Sequence, residues 1–179
     1  MSFAACLPII LASEGGFVVD QGGPTNLGVT IPILSAFLRR PVTVADIRAL
    51  TPASVGPLYR TLFYNAAHCN LCPAGLDLMV FDEAVNQGQG HATRHLQQAL
   101  GVPDDGDFGP ATLAALKACD PVRTIGAIHG DNAAYYQSLA QAYPRDERGW
   151  RARNDRTRDV ALAMAGAALN AGAAAPPSP

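Results

Sequence analysis

The chain has 179 residues, 49% of them apolar and 16% charged, with a formal net charge of -2. That length can bury a core without covalent staples, and that composition excludes a disordered or fibrous chain. There is no excess of Lys and Arg to neutralise phosphates, so no nucleic-acid partner is expected.

The Ala-rich stretch from Val160 to Ala175 comes nearest to a membrane span. It falls short of ~18 strongly apolar residues and is broken by Asn170, so no stable membrane insertion is expected. Met1 to Ser13 is apolar but carries no basic residue, unlike a secretory signal. Synthesis and initial retention in the cytoplasm are therefore expected. The four cysteines, Cys6, Cys69, Cys72 and Cys119, are expected to be reduced thiols.

In chain order, Met1–Ser13 reads as a helix, with Phe3, Leu7, Ile10 and Glu14 on one face. Gly15-Gly16 ends it. Phe17–Thr30 reads as turns with a short hairpin. Short helices are expected at Ile31–Phe37 and Thr43–Leu50, the second capped by Thr43 with Asp46 three residues on. Thr51-Pro52 opens a helix to Tyr64. Cys69–Gly75 reads as a connector. Helices follow at Leu76–Gln87 and His91–Leu100, closed by Gly88 and Gly101. Asp104–Gly109 reads as a turn, and the remaining helices as Pro110–Ala118, Pro121–Ala142 and Trp150–Asn170. The fold class is mainly α. A seam near Gly88 divides it into regions 1–88 and 89–170, with 171–179 as a disordered tail.

The segment that carries chemistry runs from Glu14 to Thr30. Burial disfavours a charged carboxylate, and a carboxyl kept in its acid form is what a glycosidase general acid requires. Glu14 shares its helix face with apolar residues, which suits that role. The two glycines after it leave room for a bulky substrate. Asp20 is the nearest second carboxylate of the kind glycoside hydrolysis uses. Thr25, Asn26 and Thr30 can hold a sugar or position a water. Read as backbone alone, Gly15-Gly16 is a helix stop and Gly22-Gly23 a turn.

These residues fall in an order that resembles glycoside hydrolase family 108, which comprises phage N-acetylmuramidases and bacterial relatives labelled secretion activators. Glu14-Gly15-Gly16 is followed by Gly22-Gly23-Pro24-Thr25-Asn26-Leu27-Gly28-Val29-Thr30. Next come Phe81-Asp82-Glu83-Ala84-Val85-Asn86-Gln87-Gly88 and the pair Leu96-Gln97. Then come Asp105-Gly106-Asp107-Phe108-Gly109-Pro110-Ala111-Thr112 and Gly149-Trp150-Arg151-Ala152-Arg153. The chain departs from the pattern at Val19, where an Asn is usual, and at Asn65, where an aromatic is common. Its loop between the two glycine pairs is also shortened.

The resemblance implies a lysozyme-like helical domain, Glu14 as catalytic residue and peptidoglycan as substrate. It implies a helical peptidoglycan-binding-like region after Gly88, with Asp105, Asp107 and Thr112 in its turn motif. The activity expected is hydrolysis of the β-1,4 bond between N-acetylmuramic acid and N-acetylglucosamine. Catalytic roles fall to Glu14, Asp20 and Thr30, and substrate contacts to Thr25, Asn26, Asp82 and Asn86. Holin-dependent release or carriage on a phage virion would bring such a chain to the wall. The alternative is a non-catalytic wall-binding or phage-tail component with a degenerate lysozyme fold, favoured by Val19 and the short loop.

Other constellations read more plainly. Cys69-x2-Cys72 and His91-x3-His95 have zinc spacing, but the two pairs need not meet, so no metal and no cofactor are expected. Asp82 and Asn86 share a helix face and line either a cleft floor or a helix contact. Trp150 fits a core position or a sugar platform. The mixed charges from Arg145 to Arg158 read as a solvated helix face.

Overall fold

The computed structural model describes residues 3–20 and 22–173. Its mainly α architecture opens with α1 (Phe3–Leu11) and a three-stranded antiparallel sheet, β1 (Val18–Asp20), β2 (Gly23–Asn26) and β3 (Val29–Thr30). The anticipated hairpin is thus a small meander, with Val18 opposite Thr25 and Thr25 opposite Thr30. Helices α2 (Ile31–Leu38), α3 (Val44–Arg48) and α4 (Pro52–Tyr59) follow.

Local chemistry fixes these starts. Thr43 and Asp46 form a reciprocal capping box at α3, as the spacing predicts, and Thr51 and Ser54 form another at α4. The helix expected to run unbroken to Tyr64 changes at Tyr59 into a π-helical segment, Arg60–Asn65. One wider turn of this kind shifts the phase of the buried face.

Beyond a 3-10 turn at Cys69–Leu71 lie α5 (Leu76–Gln87), α6 (Gln89–Leu100), α7 (Pro110–Ala118), α8 (Pro121–Leu139) and α9 (Glu147–Ala173). The last helix starts three residues before Trp150 and continues past Asn170 through Ala173. The rest of the anticipated tail, 174–179, lies outside the described residues.

α5 is the central helix, buried at Leu76, Leu78, Met79, Val80, Phe81 and Ala84. Phe81 meets Phe3 and Tyr64 at ring distances of 5.8 and 5.2 Å, and Tyr59 at 6.3 Å. Edge-on aromatic pairs add to the burial energy of such a cluster. Gly75 begins this helix at φ +86°, where a Cβ would lie 2.1 Å from the carbonyl oxygen of Ala161. That approach seats α9 directly on the start of α5. The hydrophobic core runs unbroken from α1 through α5 into Leu96, Leu116, Ile125, Ile128 and Ala161, so apolar packing crosses the seam at Gly88. All four cysteines are free.

Candidate active site

Glu14 stands just past the end of α1, in the turn that leads to the sheet. Its side chain is 17% exposed. The backbone fixes it from two sides. Gly15 accepts a bond from the Leu27 N–H at 3.0 Å, tying the Glu-Gly-Gly turn to the strand loop. Gly28, at φ +71°, passes so close that a Cβ there would lie 2.6 Å from Glu14 Oε2 and from the Tyr59 hydroxyl. Only a glycine admits both groups. Burial first, and then the nearby Glu14 charge, push the Tyr59 phenol well above its usual range. It stays protonated and donates to the Leu27 carbonyl at 2.8 Å.

Arg153 of α9 completes the arrangement. Its Nη1 lies 3.3 Å from Glu14 Oε1, and its Nε donates to Asp82 Oδ1 at 3.0 Å. The side chains of Arg153 and Asp82 are 15% and 13% exposed. Arg153 Nη2 is buried and has no partner. Burial raises the Asp82 pKa, against the pull of the Arg153 charge and bond. Asn86, one turn on, donates to the Asp82 carbonyl at 2.7 Å and to its Oδ2 at 3.2 Å. Asp82 and Asn86 are therefore a linked pair beside Glu14, and only Asn86 of the two is exposed.

The remaining expected site residues fall in two other places. Asp20 is exposed at the tip of the β1–β2 hairpin, where its Oδ1 accepts from the Gly22 N–H at 2.7 Å. Thr30 caps α2, accepting from the Ile33 N–H at 3.5 Å. Thr25 is half-buried between the outer strands. Asn26 is buried, and its amide donates to the carbonyls of Ile47, Arg48 and Leu50. It pins the end of α3 to the sheet.

Asp105, Asp107 and Thr112 converge on Gln97. The Gln97 amide nitrogen donates to Asp105 Oδ1 at 2.9 Å, to the Asp107 carbonyl at 3.0 Å and to Thr112 Oγ1 at 3.1 Å. Its oxygen accepts from the Gly106 N–H at 2.8 Å. The Leu-Gln pair and the Asp-Gly turn are one folding unit.

Two grooves lie along elements next to this arrangement, one reaching Asn86 and the other Ser13. One of about 170 Å³ is lined by Asn86, Gln87, Tyr135, Tyr136 and Trp150. Another of about 580 Å³ runs along Pro8, Ala12 and Ser13 of the first-helix region and Arg156 and Thr157 of α9. The expectation of a solvated face from Arg145 to Arg158 is corrected at Arg153, which turns inward. Tyr59 was likewise not singled out in the sequence. The only signal for Arg153 was its place as the last residue of the Gly-Trp-x-x-Arg motif.

His91 and His95 do meet potential ligands, but not the cysteines. With Glu83 they form the one group of three metal-ligating side chains among the described residues. His68 instead stacks on Phe108 at 4.2 Å. No helix among the described residues is long and apolar enough to cross a membrane.

Comparison with known proteins bears on this arrangement. The family model described as Glycosyl hydrolase 108 matches residues 7–88, which contain Glu14, Tyr59 and Asp82. The solved structure of Brucella abortus SagA is 34% identical in sequence, with a TM-score of 0.80, over 91% of this chain and 95% of that one. No curated protein matches the chain. The SagA likeness spans both regions, including the helix that carries Arg153. The chain belongs to glycosyl hydrolase family 108.

Proposed function

We propose that this glycosyl hydrolase acts on peptidoglycan, cleaving the β-1,4 bond between N-acetylmuramic acid and N-acetylglucosamine with Glu14 as general acid. The observation that carries the reading is the seat of Glu14. A mostly buried carboxyl sits at a helix end against Gly28 and Tyr59, on an arginine shared with Asp82. Glu14 gives its proton to the glycosidic oxygen as the bond to the anomeric carbon breaks. Water adds to that carbon and releases a proton. Asp82 keeps the Arg153 charge partnered while Glu14 is protonated.

Asp20, Thr25 and Thr30 belong to the sheet that follows Glu14 directly, the element from which a polar group for the attacking water would come. Asn86 leads from Asp82 into the groove with Tyr135, Tyr136 and Trp150. Flat rings beside polar side chains suit a sugar there. In this scheme residues 1–88 hold the acid, and residues 89–170 extend the hold on the glycan strand. Asp105, Asp107 and Thr112 shape that second part around Gln97. Holin release or virion carriage are the proposed routes to the substrate.

The reading is tested by digesting purified bacterial walls and identifying the products by mass. Muramic-acid reducing ends are expected. Glucosamine reducing ends contradict the bond assigned. A second reading, wall binding without catalysis, draws on Val19, which stands 64% exposed on the hairpin where the family pattern has Asn. Wall pelleting without clearing would favour it.

A further inference from the structure

Glu83, His91 and His95 take no part in the scheme above. Glu83 follows Asp82 on α5. Successive helical residues point about 100° apart, so while Asp82 meets Arg153, Glu83 meets α6. There its Oε1 bonds His95 Nδ1. His91 and His95 are four apart on α6 and share a face, with ring centroids 4.1 Å apart. One ligand atom from each of the three residues lies within 4.8 Å of the others.

A buried Glu–His pair accounts for only half of this cluster. Glu83 is 1% exposed, yet its Oε2 has no hydrogen-bond partner, and His91 Nδ1 is also buried without one. Buried polar atoms normally have a partner. Two orphans, a carboxylate oxygen and an imidazole nitrogen, in a cluster whose ligand atoms lie within 4.8 Å of one another, are what a cation would satisfy. We propose that Glu83, His91 and His95 form a binding site for a divalent transition-metal ion of the zinc class.

The donor set selects the class. Two imidazoles and one carboxylate suit zinc and its neighbours, whereas calcium and magnesium prefer all-oxygen sites. Three protein ligands leave a fourth position for water. The nearby Asp131 of α8, whose charge acts on both Glu83 and His95, adds negative potential there. The bound ion would brace α5, the helix that carries Asp82, against α6 across the bend at Gly88. Its role is independent of which glycosidic bond the protein cleaves.

The test is calorimetric titration of the metal-stripped full-length protein with Zn²⁺, paired with the absorption spectrum of its Co²⁺ form. Wild type is compared with His91→Asn and His95→Gln. Melting curves of the metal-free proteins separate loss of a ligand from loss of fold. His91 is the cleaner variant, because its Nδ1 bonds nothing in the fold. The expected result is one Zn²⁺ per chain and a melting temperature that rises with Zn²⁺ concentration. The Co²⁺ spectrum should lack thiolate bands, and affinity should fall about 10-fold or more in either variant, the scale seen even for outer-shell changes. No binding by wild type, thiolate bands reporting the cysteines, or unchanged affinity in a folded His91→Asn protein would each overturn the proposal.

Discussion

Arg153 reaches Glu14 across 139 residues of sequence, and the same guanidinium holds Asp82 through a second nitrogen. Three helices are thereby fixed to one point: α1 through Glu14, α5 through Asp82 and α9 through Arg153. Glu14, near one end of the sequence, is thus tied to a helix near the other. In the proposed reaction Arg153 is a positioning residue, and Asp82 offsets its charge as Glu14 passes a proton.

Removing Arg153 should therefore be felt in both stability and rate. Arg153→Met leaves Asp82 largely buried and uncompensated, which costs about 3 kcal/mol for a pair of this kind. Urea denaturation should show that loss, and the double variant Arg153→Met/Asp82→Asn should regain part of it. On a soluble glycan substrate the single variant should lose activity mainly in kcat. A loss confined to KM would point to simple substrate binding.

The raised Asp82 pKa gives a pH dependence of known sign. Its folded value lies above the unfolded one, near 3.9. The folded state thus holds the proton more tightly. That contribution is fully present below the unfolded value and is lost as pH rises through the folded value. Asp82→Asn removes this loss. Urea midpoints measured from about pH 4 upward should fall less steeply in the variant. An unchanged or steeper fall would show that Asp82 is not the group responsible.

Gly28→Ala tests the seat of Glu14. Its Cβ would lie 2.6 Å from both Glu14 Oε2 and the Tyr59 hydroxyl, at a φ of +71°. The left-handed backbone alone costs about 1–2 kcal/mol with a side chain. The larger effect is on activity, because the carboxyl must move. At least a 10-fold loss in kcat is expected, since displacements on the scale of 1 Å cost about 100-fold. Gly149→Ala, with open space at its Cβ, is the control and should retain activity.

Gln97→Ala tests whether the Asp-Gly turn is a folding device. It strips partners from Asp105, Asp107, Thr112 and the Gly106 N–H at a site where Gln97 is 1% exposed. A loss of about 2–3 kcal/mol is expected. Faster hydrogen exchange should appear at residues 104–109. Binding of the remaining folded protein to walls should be unchanged. Weakened wall binding at full stability would return those residues to a contact role.

What the sequence made legible was mostly local. Thr43 with Asp46, Thr51 before Pro52 and Pro110 in a first turn announced helix starts, because a cap is chemistry within four residues. Glu14 was legible as the candidate acid, since it follows an apolar helix face and precedes two glycines. Asn26 and Thr30 were read as candidates to hold a sugar or position a water, because a polar side chain looks the same in sequence whether it meets a ligand or the backbone, as Asn26 meets carbonyls and Thr30 the Ile33 N–H. Arg153 was hidden for a different reason. It stands among other arginines and acids, and nothing in that spacing tells which of them turns inward. The zinc-like spacing of His91 and His95 was visible, but the third member of that cluster, Glu83, sits in a motif whose preceding residue, Asp82, bonds Arg153.

The central claim is that Glu14 is the acid, and clearing of purified walls by wild type and by Glu14→Gln tests it most directly. Glutamine keeps the shape of the side chain and cannot give up the proton. Wild type should clear walls and leave muramic-acid reducing ends, with a fall of about 100-fold or more in a variant that melts like wild type. A folded Glu14→Gln protein that clears walls at the wild-type rate would contradict it.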